Sequence, residues 1–359
     1  MPFITDESLE SLNLSFNKLL TWFLDDRSLY LELDGDHRPN EISMHLSTNF
    51  QLISQYKINK EKKIKYQPEL FLKENFDNIN DSDYKNLILD IYNFVNKNLT
   101  EYISSFVLHG SLATFDFSKG WSDVDTFVII KNSTLLSSNK LLKFRSQCLE
   151  LKKLFYKICP LQHHGLIVFS EEDMERYSSN FIPHEVLRSS IQLLDGAKEL
   201  KLKVEAKCDE KNELQNIKRI KSLRKEINKA IKHGKLCHHP YKRECLENNF
   251  KNANNAMRQM FWFSGNIMTM PAYLLTGIGE SCEKKYSFKK TADLFSAESL
   301  ELINRVSEIR LKWQEKEGIY YKGNIIPIWF QEILGNHYFE RFRNLIDDTL
   351  YIIEKQKIT

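Results

Sequence analysis

The stretch from Leu108 to Ile130, LHGSLATFDFSKGWSDVDTFVII, constrains the fold more than any other part of the chain. Phe106 to His109 is a short apolar run that stops at Gly110-Ser111, and Asp123 to Lys131 is a second run headed by two aspartates one residue apart. Short apolar runs bounded by turn residues predict buried strands. Eleven residues separate Ser111 from Asp123, enough for one helical turn and a return loop into a neighbouring strand. A chain with this pattern needs a sheet, and one end of that sheet must carry charge.

That charge has a chemical reading. Alternate residues of a strand share a face, so Asp123 and Asp125 are expected to project together while Val124 turns into the core. Two close carboxylates raise each other's pKa unless a cation sits between them. Oxygen-only donors suit magnesium or manganese; magnesium commonly takes one or two protein carboxylates and completes its shell with water and substrate phosphates. Gly110-Ser111 supplies the other half. Following a strand and preceding Leu112-Ala113, it is expected to open a helix whose backbone N–H groups receive phosphate. Glycine permits close backbone approach, and the serine hydroxyl adds a hydrogen bond to a phosphate oxygen. Phosphate cradle and metal ligands are expected to face one cleft.

The flanking sequence sets the organisation. Glu7 to Leu24 has helical spacing, and LYLELDGDHRPNEISMHLS sets Leu29, Leu31 and Leu33 against Ile42, Met44 and Leu46 across an Asp-Gly turn, which predicts a hairpin. Ser82 to Leu99 and Asn139 to Ile158 read as helices, and HHGLIVF as a third strand. Beyond about residue 205 the spacing turns helical to the C-terminus. The expected class is therefore α/β (α+β): a small mixed-sheet domain over 1–205, with an N-terminal helix and hairpin extension, then an all-helical domain over 206–359. A chain of 359 residues exceeds the usual size of one core, and 42% hydrophobic content argues against disorder along most of it. The formal charge of +3 gives no whole-chain signal for nucleic acid or membrane. MPFITDESLESLNLSF carries acids where a signal peptide needs bases, and no apolar run approaches the roughly 20 residues that span a bilayer. A cytoplasmic protein with no membrane partner is expected, and its six scattered cysteines do not form a disulfide framework.

HGS followed by SDVD resembles the signature of the polymerase-beta-like nucleotidyltransferase superfamily: a hydrophobic residue, Gly-Ser or Gly-Gly, a spacer, then Asp-x-Asp or Asp-x-Glu on a strand. The likeness covers residues 103–131 directly. Either half alone is ordinary, a strand-to-helix turn or a pair of solvated acids; the two in the right order carry it. The resemblance implies metal-dependent transfer of a nucleoside monophosphate from a nucleoside triphosphate, AMP from ATP, to an acceptor hydroxyl. It assigns Gly110 and Ser111 to nucleotide binding, and Asp123 and Asp125 to catalysis as ligands of Mg2+ or Mn2+. It also implies a third acid on a later strand, and here the sequence departs from the pattern. In PLQHHGLIVFSEED that place is held by Gln162, His163 or His164. His164 is the candidate catalytic base, since a neutral imidazole can accept a hydroxyl proton, with Glu171 and Glu172 as fallbacks. The absent acid keeps a second class open, a catalytically degenerate nucleotide-binding or regulatory module.

A second stretch, YLLTGIGESCEKKYSFKKTADLF, is similar to the C-terminal domain of aminoglycoside-type adenylyltransferases, where an apolar helix ends in Thr-Gly and a Ser-Lys element opens the next helix. That resemblance implies that Lys289 or Lys290 meets the triphosphate and that the acceptor is a small hydroxylated molecule. A tRNA or other RNA end, or a protein hydroxyl, is the alternative acceptor. From Lys218 to Arg243 ten residues are Lys or Arg, while Ile217, Ile220, Leu223, Ile227 and Ile231 form an apolar stripe. This reads as an amphipathic helix with a solvated basic face, or as a surface for RNA or polyphosphate. Cys237, His238, His239 and Cys245 lack the paired spacing of structural zinc sites. MRQMFWFSGNIM suits a buried helix.

Overall fold

A computed structural model describes residues 6–24, 38–56, 62–65, 69–70, 82–114, 116–118, 121–158, 166–175, 177, 182, 184–187, 189–197, 200, 202–205, 208–233, 256–275, 284–316 and 327–356. The chain divides into two compact units. Unit 1 is Met1–Phe117 with Ser122–Cys208, and unit 2 is Ser118–Trp121 with Asp209–Thr359.

Apolar spacing makes Asp6–Leu24 the helix α1, with Leu9, Phe16, Leu20 and Phe23 buried. The expected hairpin then gives way to a helix, α2 (Arg38–Ile53). Ile42, Leu46, Phe50 and Ile53 are buried, while Met44, which a strand would place on the face of Ile42 and Leu46, is 55% exposed. Pro39 lies in the first turn, where its missing N–H is tolerated, and Glu41 suits the positive end of the helix. The Phe16 and Phe50 rings pack 5.8 Å apart, so tertiary burial against α1 selects the helical period. Leu29, Leu31, Leu33 and the Asp-Gly turn lie outside the described residues.

Short strands β1 (Lys62–Lys65) and β2 (Glu69–Leu70) precede helix α3 (Ser82–Asn98) and strand β3 (Ile103–His109). One helical turn, α4 (Gly110–Ala113), leads towards β4 (Asp125–Ile130), α5 (Asn132–Leu135), α6 (Ser138–Ile158), β5 (Ile167–Ser170), α7 (Glu171–Glu175), β6 (Ile191–Gln192) and β7 (Leu202–Glu205). The sheet order is β2-β6-β3-β4-β5, antiparallel through β6, β3 and β4 and parallel at both edges. β1 and β7 form a separate antiparallel ribbon.

Both faces of the central strands are covered, which is why they read as continuous apolar runs. Phe106, Leu108, Val124, Val128 and Ile130 join the core built with α1, α2, α3 and α6. Val107, Phe127, Ile129 and Phe169 face the other way, against Tyr177, Leu187, Leu200 and Leu202. Two buried polar side chains are tied into this framework. Gln192 accepts from the Phe106 N–H at 2.9 Å and donates to Ser105 Oγ at 2.6 Å, bracing the ladder where its register shifts. Asp173 accepts from the Ser170 N–H and hydroxyl, both at 2.7 Å, and from the Asn13 amide at 3.0 Å, which fastens α1 to the start of α7.

Unit 2 contains α8 (Cys208–His233), α9 (Ala256–Leu275), α10 (Lys284–Thr291), α11 (Ala297–Lys316), α12 (Ile328–Leu334) and α13 (Tyr338–Gln356). Met260, Phe263, Ile267, Met270 and Leu274 bury one stripe of α9, and Phe263 meets Phe342 edge-on with centroids 6.1 Å apart. No helix among the described residues is long and apolar enough to cross a membrane.

Leu46→Ala should destabilise unit 1 by about 3 kcal/mol, while Met44→Ala should stay within about 0.5 kcal/mol. Urea unfolding of both variants checks this, and equal losses would favour the strand.

Candidate functional site

The site is built where β3 ends. Gly110 leaves the strand at φ +67°, a conformation that glycine reaches without strain. The four residues of α4 follow, closed by the Thr114 N–H on the Gly110 carbonyl at 3.1 Å and the Asp116 N–H on the Ser111 carbonyl at 3.0 Å. The expected helix is thus a single turn. Leu112 and Ala113 anchor it in the core, and the Tyr84 hydroxyl donates to the Leu112 carbonyl.

Asp125 opens β4 directly opposite His109, on the sheet face shared with Val107 and Phe127. A Cβ placed on Gly110 would come within 2.5 Å of Asp125 Oδ2, so the carboxylate rests on the glycine backbone. The two halves of the motif, far apart in the sequence, therefore touch. Asp123 lies before the strand rather than in it, because β3 finishes at His109 and Gly110 turns away, leaving no ladder partner beyond Asp125. Val124 between them is buried, while Asp123, Asp125, Gly110 and Ser111 are all half-buried.

His109 was legible only as the residue before Gly-Ser. Its side chain is 8% exposed and its Nε2 has no hydrogen-bond partner. Burial pushes the imidazole's pKa down, opposed by the Asp125 charge and a hydrogen bond with the Thr126 backbone. A neutral imidazole thus sits next to the carboxylate that the sequence singled out.

The loop between the two halves is held at both ends. Phe117 stacks on Tyr84 with centroids 5.4 Å apart in unit 1. Ser118–Trp121 belongs to unit 2, where Ser118 Oγ donates to the Arg310 carbonyl at 3.1 Å and Trp121 packs against Trp313 and Phe330 at 5.9 and 6.1 Å.

Other expected residues fall elsewhere. Gln162, His163 and His164 lie outside the described residues, as do Cys237, His238, His239 and Cys245. Glu171 Oε2 accepts from the Asn132 N–H at 2.9 Å, and Glu172 Oε1 from the Asn132 side-chain amide at 3.1 Å. Ser170, just before them, pairs with Ile130 at the far end of β4, roughly 17 Å along the strand from Asp125 at 3.4 Å per residue. Glu171 thus caps the first N–H of α5, Glu172 holds the Asn132 side chain, and both stand at the end of the sheet away from Asp125. Lys289 and Lys290 occupy the last turn of α10, exposed, instead of opening a helix, and Lys290 Nζ lies 5.8 Å from the Tyr286 ring centroid. Burial of Ser287 and Thr291 places this segment inside the helix.

Among the described residues no cluster of three or more His, Cys, Asp and Glu side chains is arranged to hold a metal ion. Two carboxylates fit Mg2+ or Mn2+ only as partial ligands, with water and phosphate oxygens filling the remaining positions. No protein-family model, curated protein or solved structure matches the chain.

Gly110→Ala combines an unfavourable φ with a clash on Asp125, whereas Gly196→Ala meets the same φ penalty, at +65°, with nothing within 4 Å. Gly196→Ala should lose about 1 kcal/mol and Gly110→Ala clearly more, on the order of 3 kcal/mol. Denaturant unfolding of the two variants isolates the contact, and equal losses would remove it.

Proposed function

We propose that this chain is a metal-dependent nucleotidyltransferase that moves a nucleoside monophosphate, AMP with ATP as donor, onto an acceptor hydroxyl. The observation that carries the reading is the Asp125 carboxylate lying on the backbone of Gly110, which brings one aspartate of the pair against the Gly-Ser turn at one end of the sheet. Gly110 and Ser111 bind phosphate oxygens through backbone N–H groups and the serine hydroxyl. Asp123 and Asp125 would hold Mg2+ or Mn2+, which when bound neutralises charge on the triphosphate. In the reaction the acceptor oxygen bonds to the α-phosphorus, the bond from that phosphorus to the bridging oxygen breaks, and pyrophosphate leaves. The acceptor's proton passes to a base, assigned to His164. Lys289 and Lys290 are assigned to the triphosphate, and a small hydroxylated molecule to the acceptor position, both on the adenylyltransferase resemblance.

A nucleotide-binding module without turnover is the second reading. What favours it is the engagement of Glu171 and Glu172 with Asn132, which removes both from the search for a third acid.

Pyrophosphate release from ATP with Mg2+, in the presence of small hydroxylated metabolites or RNA, tests both. The double variant Asp123→Asn, Asp125→Asn should lower release by at least about 100-fold with its circular dichroism unchanged. Undiminished release would overturn the site. ATP binding that needs both aspartates, without release for any acceptor, would establish the second reading.

A further inference from the structure

The basic residues of α8 fall into two sets. Arg224 forms a two-pronged pair with Asp347, with contacts of 2.6 and 3.2 Å, and so braces α8 against α13. Lys218, Lys221, Lys225, Lys229 and Lys232 are different. All five are exposed, and at 100° per residue they lie within an arc of about 80°, opposite the buried stripe of Ile220, Leu223, Ile227 and Ala230. Among the described residues only Lys229 of the five has an ion-pair partner, Glu226 at 3.1 Å.

Successive lysines in this ridge stand three or four residues apart, the spacing at which like charges on a helix weaken it. A ridge that repels itself gains most from a partner carrying a regular row of negative charge. From Lys218 to Lys232 it runs roughly 21 Å, with about one ammonium per turn, the length of about six successive phosphates at 3.4 Å per nucleotide. A lipid surface fits less well. The apolar stripe of α8 is buried, and Leu214 is its one exposed large apolar residue among those described, so no apolar face among them is left to enter a bilayer.

We propose that the lysine ridge of α8 docks the phosphate backbone of a nucleic-acid strand. The surface stands without the catalytic reading.

Fluorescence anisotropy with the full chain and labelled 20-nucleotide single strands of RNA and DNA, over a salt series, tests the docking surface. The triple variant Lys221→Gln, Lys225→Gln, Lys232→Gln should weaken binding at least tenfold and flatten the slope of log affinity against log salt by about 2, since each single-strand phosphate contact contributes about 0.7. A control triple, Lys140→Gln, Lys153→Gln, Lys312→Gln, replaces lysines already paired with carboxylates and should leave the slope unchanged. Relief of repulsion should leave the thermal midpoint of the ridge variant unchanged or raised, which separates lost docking from lost folding. The proposal is overturned by equal binding in wild type and ridge variant, or by full competition from poly-glutamate at equal charge. Ridge-dependent binding to phosphatidylserine vesicles without binding to either strand would also overturn it. Preference for RNA or DNA names the source of the phosphates.

Discussion

The contact between the Gly110 backbone and the Asp125 carboxylate fixes how the end of β3 meets the start of β4. A side chain at position 110 would occupy the space that Oδ2 fills, and a non-glycine residue would resist φ +67°. Glycine therefore does two things at once. It turns the chain out of β3 and lets the first residue of β4 bring its charge against bare peptide, where N–H groups and a carboxylate can address the same ligand. The register His109 opposite Asp125 follows from the apolar pairing of Val107 with Phe127 farther along the ladder.

Coverage of the sheet on both faces explains why polar chemistry gathers at the strand ends. The middle of β3 and β4 is closed by two apolar cores, so a charge there would be buried without water. Two buried polar side chains carry their own partners: Gln192 between β3 and β6, and Asp173 between α1 and α7. His109 Nε2 beside Asp125 and the neighbouring Thr126 hydroxyl are buried without a hydrogen-bond partner, and burial pushes the imidazole's pKa down.

Unit 2 takes four residues from the loop that joins the motif halves. Trp121 enters an aromatic group with Trp313 and Phe330, and Asp123 follows two residues later in the chain. Nothing in FDFSKGWSD announces this, because an aromatic in a polar loop has no period to mark its partner. The cluster is defined by Trp313 in α11 and Phe330 in α12, far from Trp121 in the chain, a separation that local patterning does not encode.

What the sequence determined was local. The apolar runs specified the strands, the spacing in Glu7 to Leu24 and Ser82 to Leu99 specified helices, and the order of Gly-Ser and Asp-x-Asp specified which residues could form a site, since strand alternation and the special backbone freedom of glycine are properties of a few neighbouring residues. What only the tertiary structure decided were the features set by partners distant in the chain. Arg38–Ile53 became a helix because Phe50 packs against Phe16, although Ile42, Met44 and Leu46 also alternate as a strand does. Glu171 and Glu172 came to hold Asn132 at the start of α5 because parallel pairing of β5 with β4 carries them to the end of the sheet away from Asp125. Asp123 stopped short of the strand because Gly110 removed its partner. In each case the residue type was written locally, while its role was set by burial and pairing with segments that meet only once the chain is folded.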